Sequence, residues 1–186
     1  MLTLADCLEE FDKPELLDEE NKWYCPRCKD HVQATKSLAI YKAPLVLVIS
    51  LKRFKHGKSR YASYGYGYSS GGGGKLDTHV DFPIEGLDMS PYIMQKSEED
   101  GQTYIYDLFG ISNHFGGLGG GHYTAYAKNW RENKWYNFDD SSCSQASSKS
   151  LVSSAAYNLF YRRRGAINLN EVDYERIKQS ACMEDL

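Results

Sequence analysis

Long apolar runs are missing from this sequence. No stretch approaches the roughly 18–20 apolar residues that span a bilayer. Residues 1–20 hold Asp6, Glu9, Glu10 and Asp12 where a secretory signal would need a basic start and an apolar centre. Neither a membrane span nor a leader is expected. A surplus of charge is missing too. Across 186 residues, 22 Lys and Arg face 25 Asp and Glu, a formal net charge of −3. No basic field is available to hold nucleic acid or an anionic membrane surface, so neither is an expected partner. Cysteine is scarce, at five, and odd in number. Two of the five form Cys25-Pro26-Arg27-Cys28, and Cys7, Cys143 and Cys182 are scattered. That usage excludes a disulfide framework and points to a reducing compartment, cytoplasm or nucleus, with a metal knuckle.

What remains is an ordinary soluble composition, 41% hydrophobic and 25% charged. Thr3 followed by Asp6, with Leu4, Leu8 and Phe11 on one face, predicts a capped helix over 4–11 that Pro14 ends. Residues 31–41 read as a strand. The run Leu45-Val46-Leu47-Val48-Ile49 reads as a central strand buried on both faces. Residues 55–75, with four tyrosines among Gly and Ser, read as a flexible loop, with a Tyr/Gly interaction tract as the alternative. Strands are expected over 76–82, 103–113 and 156–161, and a short helix over 147–156. A glycine loop is expected over 114–121, with His114 exposed in it. The tail 168–186 is either a weakly amphipathic helix or disordered.

The chemistry lies in a predicted hairpin. Residues 122–128 and 133–139 are strand-like, joined by Asn129-Trp130-Arg131-Glu132. Closing Lys128 against Asn133 puts His122 directly across from Asp139, within reach of an imidazole–carboxylate hydrogen bond. The same register pairs Thr124 with Asn137 and Tyr126 with Trp135. A slip of one residue would bring Asp140 opposite His122 instead. A histidine held by a carboxylate is the base that nucleophilic catalysis by a thiol needs. Gly119, Gly120 and Gly121 permit close approach of an extended substrate backbone. A plain surface His–Asp pair is the alternative reading of the hairpin taken alone.

The flanking pattern argues against that plain pair. Gly121-His122-Tyr123-Thr124-Ala125-Tyr126-Ala127-Lys128-Asn129, followed by Lys134-Trp135-Tyr136-Asn137-Phe138-Asp139-Asp140-Ser141, closely resembles the histidine box of ubiquitin-specific proteases. Thr3-Leu4-Ala5-Asp6-Cys7, Trp23-Tyr24-Cys25-Pro26-Arg27-Cys28, Leu51-Lys52-Arg53-Phe54, Lys75-Leu76-Asp77 and Leu159-Phe160-Tyr161-Arg162-Arg163 agree in order. The resemblance covers about residues 3–164. It implies an α+β, papain-like fold: the antiparallel-sheet palm and part of the finger region, with short helices, followed by a tail over 165–186. It implies a cysteine-type deubiquitinase, with His122 as base, Asp139 as orienting acid and Asp140 as auxiliary. His114, Gly119, Gly120, Gly121 and Tyr123 are the candidate substrate-binding residues. Ubiquitin and ubiquitinated proteins are the implied partners.

Two parts of such a site are not expected within this chain. Cys25 and Cys28 supply two of the four ligands of a structural zinc, and the resemblance places the other pair upstream; two free thiols are the alternative. No cofactor is expected for catalysis. The family's nucleophile box has no counterpart here. Cys7 and Cys143 both read as core residues, and none of the cysteines is expected to be the nucleophile. The chain resembles the second half of a catalytic domain, whose N-terminal half is a further expected partner, and alone it is expected to be inactive. The alternative function is a non-catalytic ubiquitin-binding or scaffold protein of the same fold.

Overall fold

The computed structural model describes residues 1–54, 74–96, 103–117 and 119–165. The 55–75 loop (apart from residues 74 and 75), residues 97–102 and the 168–186 tail with Cys182 lie outside the described residues.

Two short stretches precede the main sheet. β1 (Leu2–Thr3) leads into the α-helix α1 (Leu4–Asp12). The Thr3 hydroxyl accepts from the Asp6 N–H, and the Asp6 carboxylate accepts from the Thr3 N–H at 2.7 Å. This is the predicted capping box, a cap type that stabilises a helix by about 1 kcal/mol. Leu4 and Leu8 are buried, while Phe11 stays half exposed. β2 (Glu15–Leu16) pairs with β5 (Thr35–Lys36), and β3 (Trp23–Cys25) pairs with β4 (Asp30–Val32). The expected strand over 31–41 is thus broken into β4 and β5, because those residues serve two separate strand pairs, one enclosing the other in sequence.

The remaining strands are β6 (Val46–Ser50), β7 (Val80–Asp81), β8 (Leu87–Asp88), β9 (Ile105–Gly117), β10 (Gly120–Asn129), β11 (Lys134–Asp139), β12 (Ser142–Ala146) and β13 (Ala156–Arg163). Seven form one sheet in the order β12-β11-β10-β9-β13-β6, with β8 also on β9. The pairings within it are antiparallel. Among the described residues, one α-helix and a mostly antiparallel sheet make the fold α+β, as expected. No helix among the described residues is long and apolar enough to cross a membrane.

β6 corrects the sequence reading. It is an edge strand, not a central one, and its residues alternate between exposed and half-buried. Val48 is 53% exposed. One face of β6 packs on the core, and among the described residues no strand lies on its outer side. Behind β6, buried Arg53 ties three segments together. Its Nε donates to the Ala156 carbonyl at 2.8 Å, and its Nη1 donates to the carbonyls of Leu76 and Thr78 at 2.9 and 2.7 Å. Backbone carbonyls take hydrogens of Nε and Nη1, which offsets part of the cost of burying the guanidinium, while Nη2 has no partner among the described residues. The core also holds Tyr106 and Tyr161, whose hydroxyls donate to the Pro44 and Pro83 carbonyls.

Three more expectations change. The helix over 147–156 shrinks to a single 3-10 turn, Ser148–Ser150. The strand over 76–82 shrinks to β7. The segment after Asp139 forms β12, a strand its polar composition hid, and Cys143 on it is exposed rather than core. Cys7 is half-buried against the core.

Candidate active site

β10 and β11 carry the predicted hairpin, in a register two residues from the expected one. Asn129 pairs with Lys134, Lys128 with Trp135, Tyr126 with Asn137 and Ala125 with Phe138. The loop is Trp130 to Asn133, one position later than the sequence suggested. Two asparagines cause the difference. The Asn129 side-chain oxygen accepts from the N–H groups of Arg131 and Glu132 at 2.9 and 3.2 Å, which starts the turn after Asn129. Asn133 adopts a left-handed φ of 56°, a conformation asparagine tolerates.

A shift of two preserves which face each side chain occupies. His122 and Asp139 therefore still share a face, but they meet diagonally. Extending the ladder puts Thr124 opposite Asp139, with His122 one step further along the same face. Diagonal neighbours are within reach of long side chains. The His122 Nε2 lies 2.6 Å from the Asp139 Oδ1. A carboxylate only accepts, so Nε2 carries the hydrogen and Nδ1 of the neutral ring keeps a basic lone pair. Asp140 starts the two-residue turn between β11 and β12, with φ 47°. The side chains of His122, Asp139 and Asp140 bring ligand-type atoms within 4.8 Å of one another, all exposed. Among the described residues no cysteine joins that group.

The hydrogen bond to Asp139 raises the His122 pKa above its ordinary value. Desolvation opposes this, and the charges of Asp139 and Asp140 add to it. With the folded value raised, the pair's contribution to stability is full below the unfolded pKa of about 6.5. It is lost as pH rises through the folded value. The raised value also favours an imidazolium, the form that would stabilise a neighbouring thiolate.

His114 is not exposed. It lies on β9, opposite Tyr123, with 4% of its surface accessible. The expected glycine loop is largely strand, because β9 runs on to Gly117 and β10 begins at Gly120. The glycines divide in role. A Cβ at Gly119 or Gly120 would meet nothing within 4 Å. A Cβ at Gly121 would fall 2.3 Å from the His114 Nε2 and 2.4 Å from the Phe115 carbonyl oxygen. The close approach at Gly121 is therefore made by the protein's own His114. Tyr123 is 54% exposed and its ring centroid lies 4.7 Å from that of His114. Asn113, which the sequence reading passed over, is buried, and its Nδ2 donates to the Thr124 Oγ1 at 3.3 Å. Only its place beside His114 offered a signal.

The knuckle Cys25 to Cys28 closes the β3–β4 hairpin. The Lys29 N–H donates to the Cys25 carbonyl at 2.8 Å, with Lys29 in the left-handed region at φ 55°. Backbone N–H groups of Cys28 and Arg27 point at the Cys25 sulfur, and the Cys28 side chain adds to them, lowering its pKa. The Cys25 thiolate favoured in this way suits one corner of a tetrahedral zinc site, and Cys28 offers a second ligand atom of the same kind. Among the described residues no third histidine, cysteine or carboxylate clusters with the pair.

Residues 16–161 match the family described as "Ubiquitin carboxyl-terminal hydrolase". The chain belongs to that family. It is 47% identical over 163 residues to ubiquitin carboxyl-terminal hydrolase 12 of Saccharomyces cerevisiae, covering 88% of this chain and 12% of that protein. It is 50% identical over 161 residues to ubiquitin carboxyl-terminal hydrolase 15 of Homo sapiens, covering 87% of this chain and 15% of that protein. The chain also superposes on the solved SAGA Ubp8/Sgf11/Sus1/Sgf73 DUB module bound to ubiquitin aldehyde. There the TM-score is 0.65 at 34% identity, covering 88% of this chain and 34% of the solved one. A form of that module bound to monoubiquitin matches with a TM-score of 0.66 at 35% identity, covering 88% and 33%. The chain thus spans under a sixth of these two curated relatives and about a third of the solved chains.

Proposed function

We propose that residues 1–186 provide the general base and its orienting acid to a cysteine-type deubiquitinase whose nucleophile lies outside these residues. The observation that carries this reading is the 2.6 Å contact between His122 Nε2 and Asp139 Oδ1, which leaves Nδ1 as the proton acceptor. Membership of the ubiquitin carboxyl-terminal hydrolase family supports it.

In the proposed reaction a thiol gives its proton to His122 Nδ1. The thiolate attacks the carbonyl of ubiquitin's C-terminal glycine. The carbon–nitrogen bond breaks as the imidazolium protonates the leaving amine, which leaves a thioester. Water, deprotonated by the same imidazole, then releases ubiquitin and restores the thiol. Asp139 fixes the tautomer throughout. Asp140 adds negative charge near the imidazolium. The N-terminal half of the catalytic domain supplies the thiol and the remaining ligands of a zinc whose other two ligands are Cys25 and Cys28.

A second reading is a ubiquitin-binding member of the same fold that does no chemistry. What favours it is that no cysteine clusters with His122 among the described residues. One assay separates the two. The complete domain is mixed with ubiquitin bearing a fluorogenic C-terminal amide. Release of the fluorophore is expected. Saturable binding with no release would give the second reading, and neither release nor binding would overturn both.

A further inference from the structure

His122 is a strand residue, and its imidazole is placed only as well as the backbone from Gly121 to Tyr123 is placed. The β9–β10 ladder holds that backbone by its main-chain groups, and the His114 side chain packs against it on both sides of His122. On one side of His122, the His114 ring fills the space that a side chain at Gly121 would need, with Nε2 at 2.3 Å from that Cβ position. On the other side, the same ring packs on Tyr123 at 4.7 Å between centroids.

His114 is itself held from behind. Phe54 packs edge-on against it at 5.2 Å. Its N–H donates to the Ala155 carbonyl at 2.8 Å. Its carbonyl accepts from the Lys75 Nζ at 2.5 Å. The Lys75 side chain is only 7% exposed, and the Asp77 carboxylate with which it forms an ion pair lies 3.5 Å away at 74% exposure. An ammonium this buried is costly unless its hydrogens are taken. Here a strand carbonyl beside the catalytic histidine takes one.

We infer that Lys75 and His114 form a positioning unit for His122. Lys75 anchors the end of β9 through the His114 carbonyl, and the His114 ring sets the backbone on both sides of His122. The catalytic meaning of the unit rests on the proposed role of His122, but its geometry can be tested without turnover.

The test is an NMR titration of the His122 imidazole in the 186-residue chain. Lys75→Met keeps the aliphatic stem and removes the donor. In that variant the His122 pKa is expected to fall back towards the ordinary value of about 6.5. Amide-exchange protection at Tyr123 and Thr124 is expected to drop about tenfold or more, with protection at Leu159 and Tyr161 retained. Lys75→Arg is expected to restore most of both. Leu8→Ala, a core change far along the chain, is expected to lower Tm without moving the His122 titration, which separates positioning from general destabilisation. Should Lys75→Met not fold, Lys75→Gln replaces it. An unchanged His122 titration in the folded Met or Gln variant would overturn the proposal, and so would an equal shift in Leu8→Ala. An inactive complete domain would count against the proposed chemistry and leave this result standing.

Discussion

His122→Ala in the complete domain is expected to lower kcat/KM for a ubiquitin amide by about 10³-fold or more, with ubiquitin affinity held within about threefold. The expectation is large because one ring serves both halves of the reaction. In the proposed reaction it takes the thiol proton before attack and returns it to the leaving amine, so its loss would remove a base and an acid together. Alanine keeps the strand. The β9–β10 ladder runs through backbone groups and pairs residue 122 with Phe115 whatever its side chain. The His122 side chain is also about half exposed, so its removal opens no core cavity. Measured kcat and KM in parallel with direct ubiquitin binding check this. Turnover within tenfold of the unaltered domain would remove His122 from the base role.

Asp139→Asn is expected to cost about 10- to 10³-fold in kcat, and Asp140→Asn no more than about threefold. The ordering follows from geometry. Asp139 holds the Nε2 hydrogen at 2.6 Å, whereas Asp140 heads the β11–β12 turn and acts on His122 through its charge, behind Asp139 in influence. An asparagine at 139 still offers a carbonyl oxygen to Nε2, which is why the loss is partial. It cannot stabilise the imidazolium as a carboxylate does. Parallel pH–rate profiles check the cause, because the limb assigned to His122 should move to lower pH in Asp139→Asn. Greater loss at Asp140 would mean that the resting contact at Asp139 is not the one used in turnover.

Strand periodicity made the essential part of this site readable from sequence. Side chains alternate faces with a period of two, so His122 and Asp139 fall on one face in either the expected register or the observed one. The register itself was hidden in Asn129 and Asn133, whose local hydrogen bonds and left-handed backbone moved the turn. Helix α1 was readable because Thr3 and Asp6 satisfy each other within one turn. The apolar run 45–49 was misleading, because the same residues suit a central strand or an edge whose outer side is open among the described residues. β12 was hidden for the opposite reason: its Ser, Gln and Cys side chains face solvent and carry no apolar alternation. The burial of His114 and Lys75 depends on contacts between segments 39 residues apart, which no local pattern records.

We propose that these 186 residues hold a base and its orienting acid but no nucleophile. Ubiquitin carrying a thiol-reactive C-terminal group, incubated with the 186-residue chain and read by intact mass, tests it most directly. The cysteines within the described fold argue for the outcome. Cys7 has its pKa raised, first by burial and then by the charge of Asp6, against a smaller opposing effect of Arg53. Cys143 stands exposed on β12 opposite Phe138 and outside the cluster formed by His122, Asp139 and Asp140. The predicted result is no ubiquitin adduct; a one-to-one adduct mapped to Cys7 or Cys143 would contradict the claim.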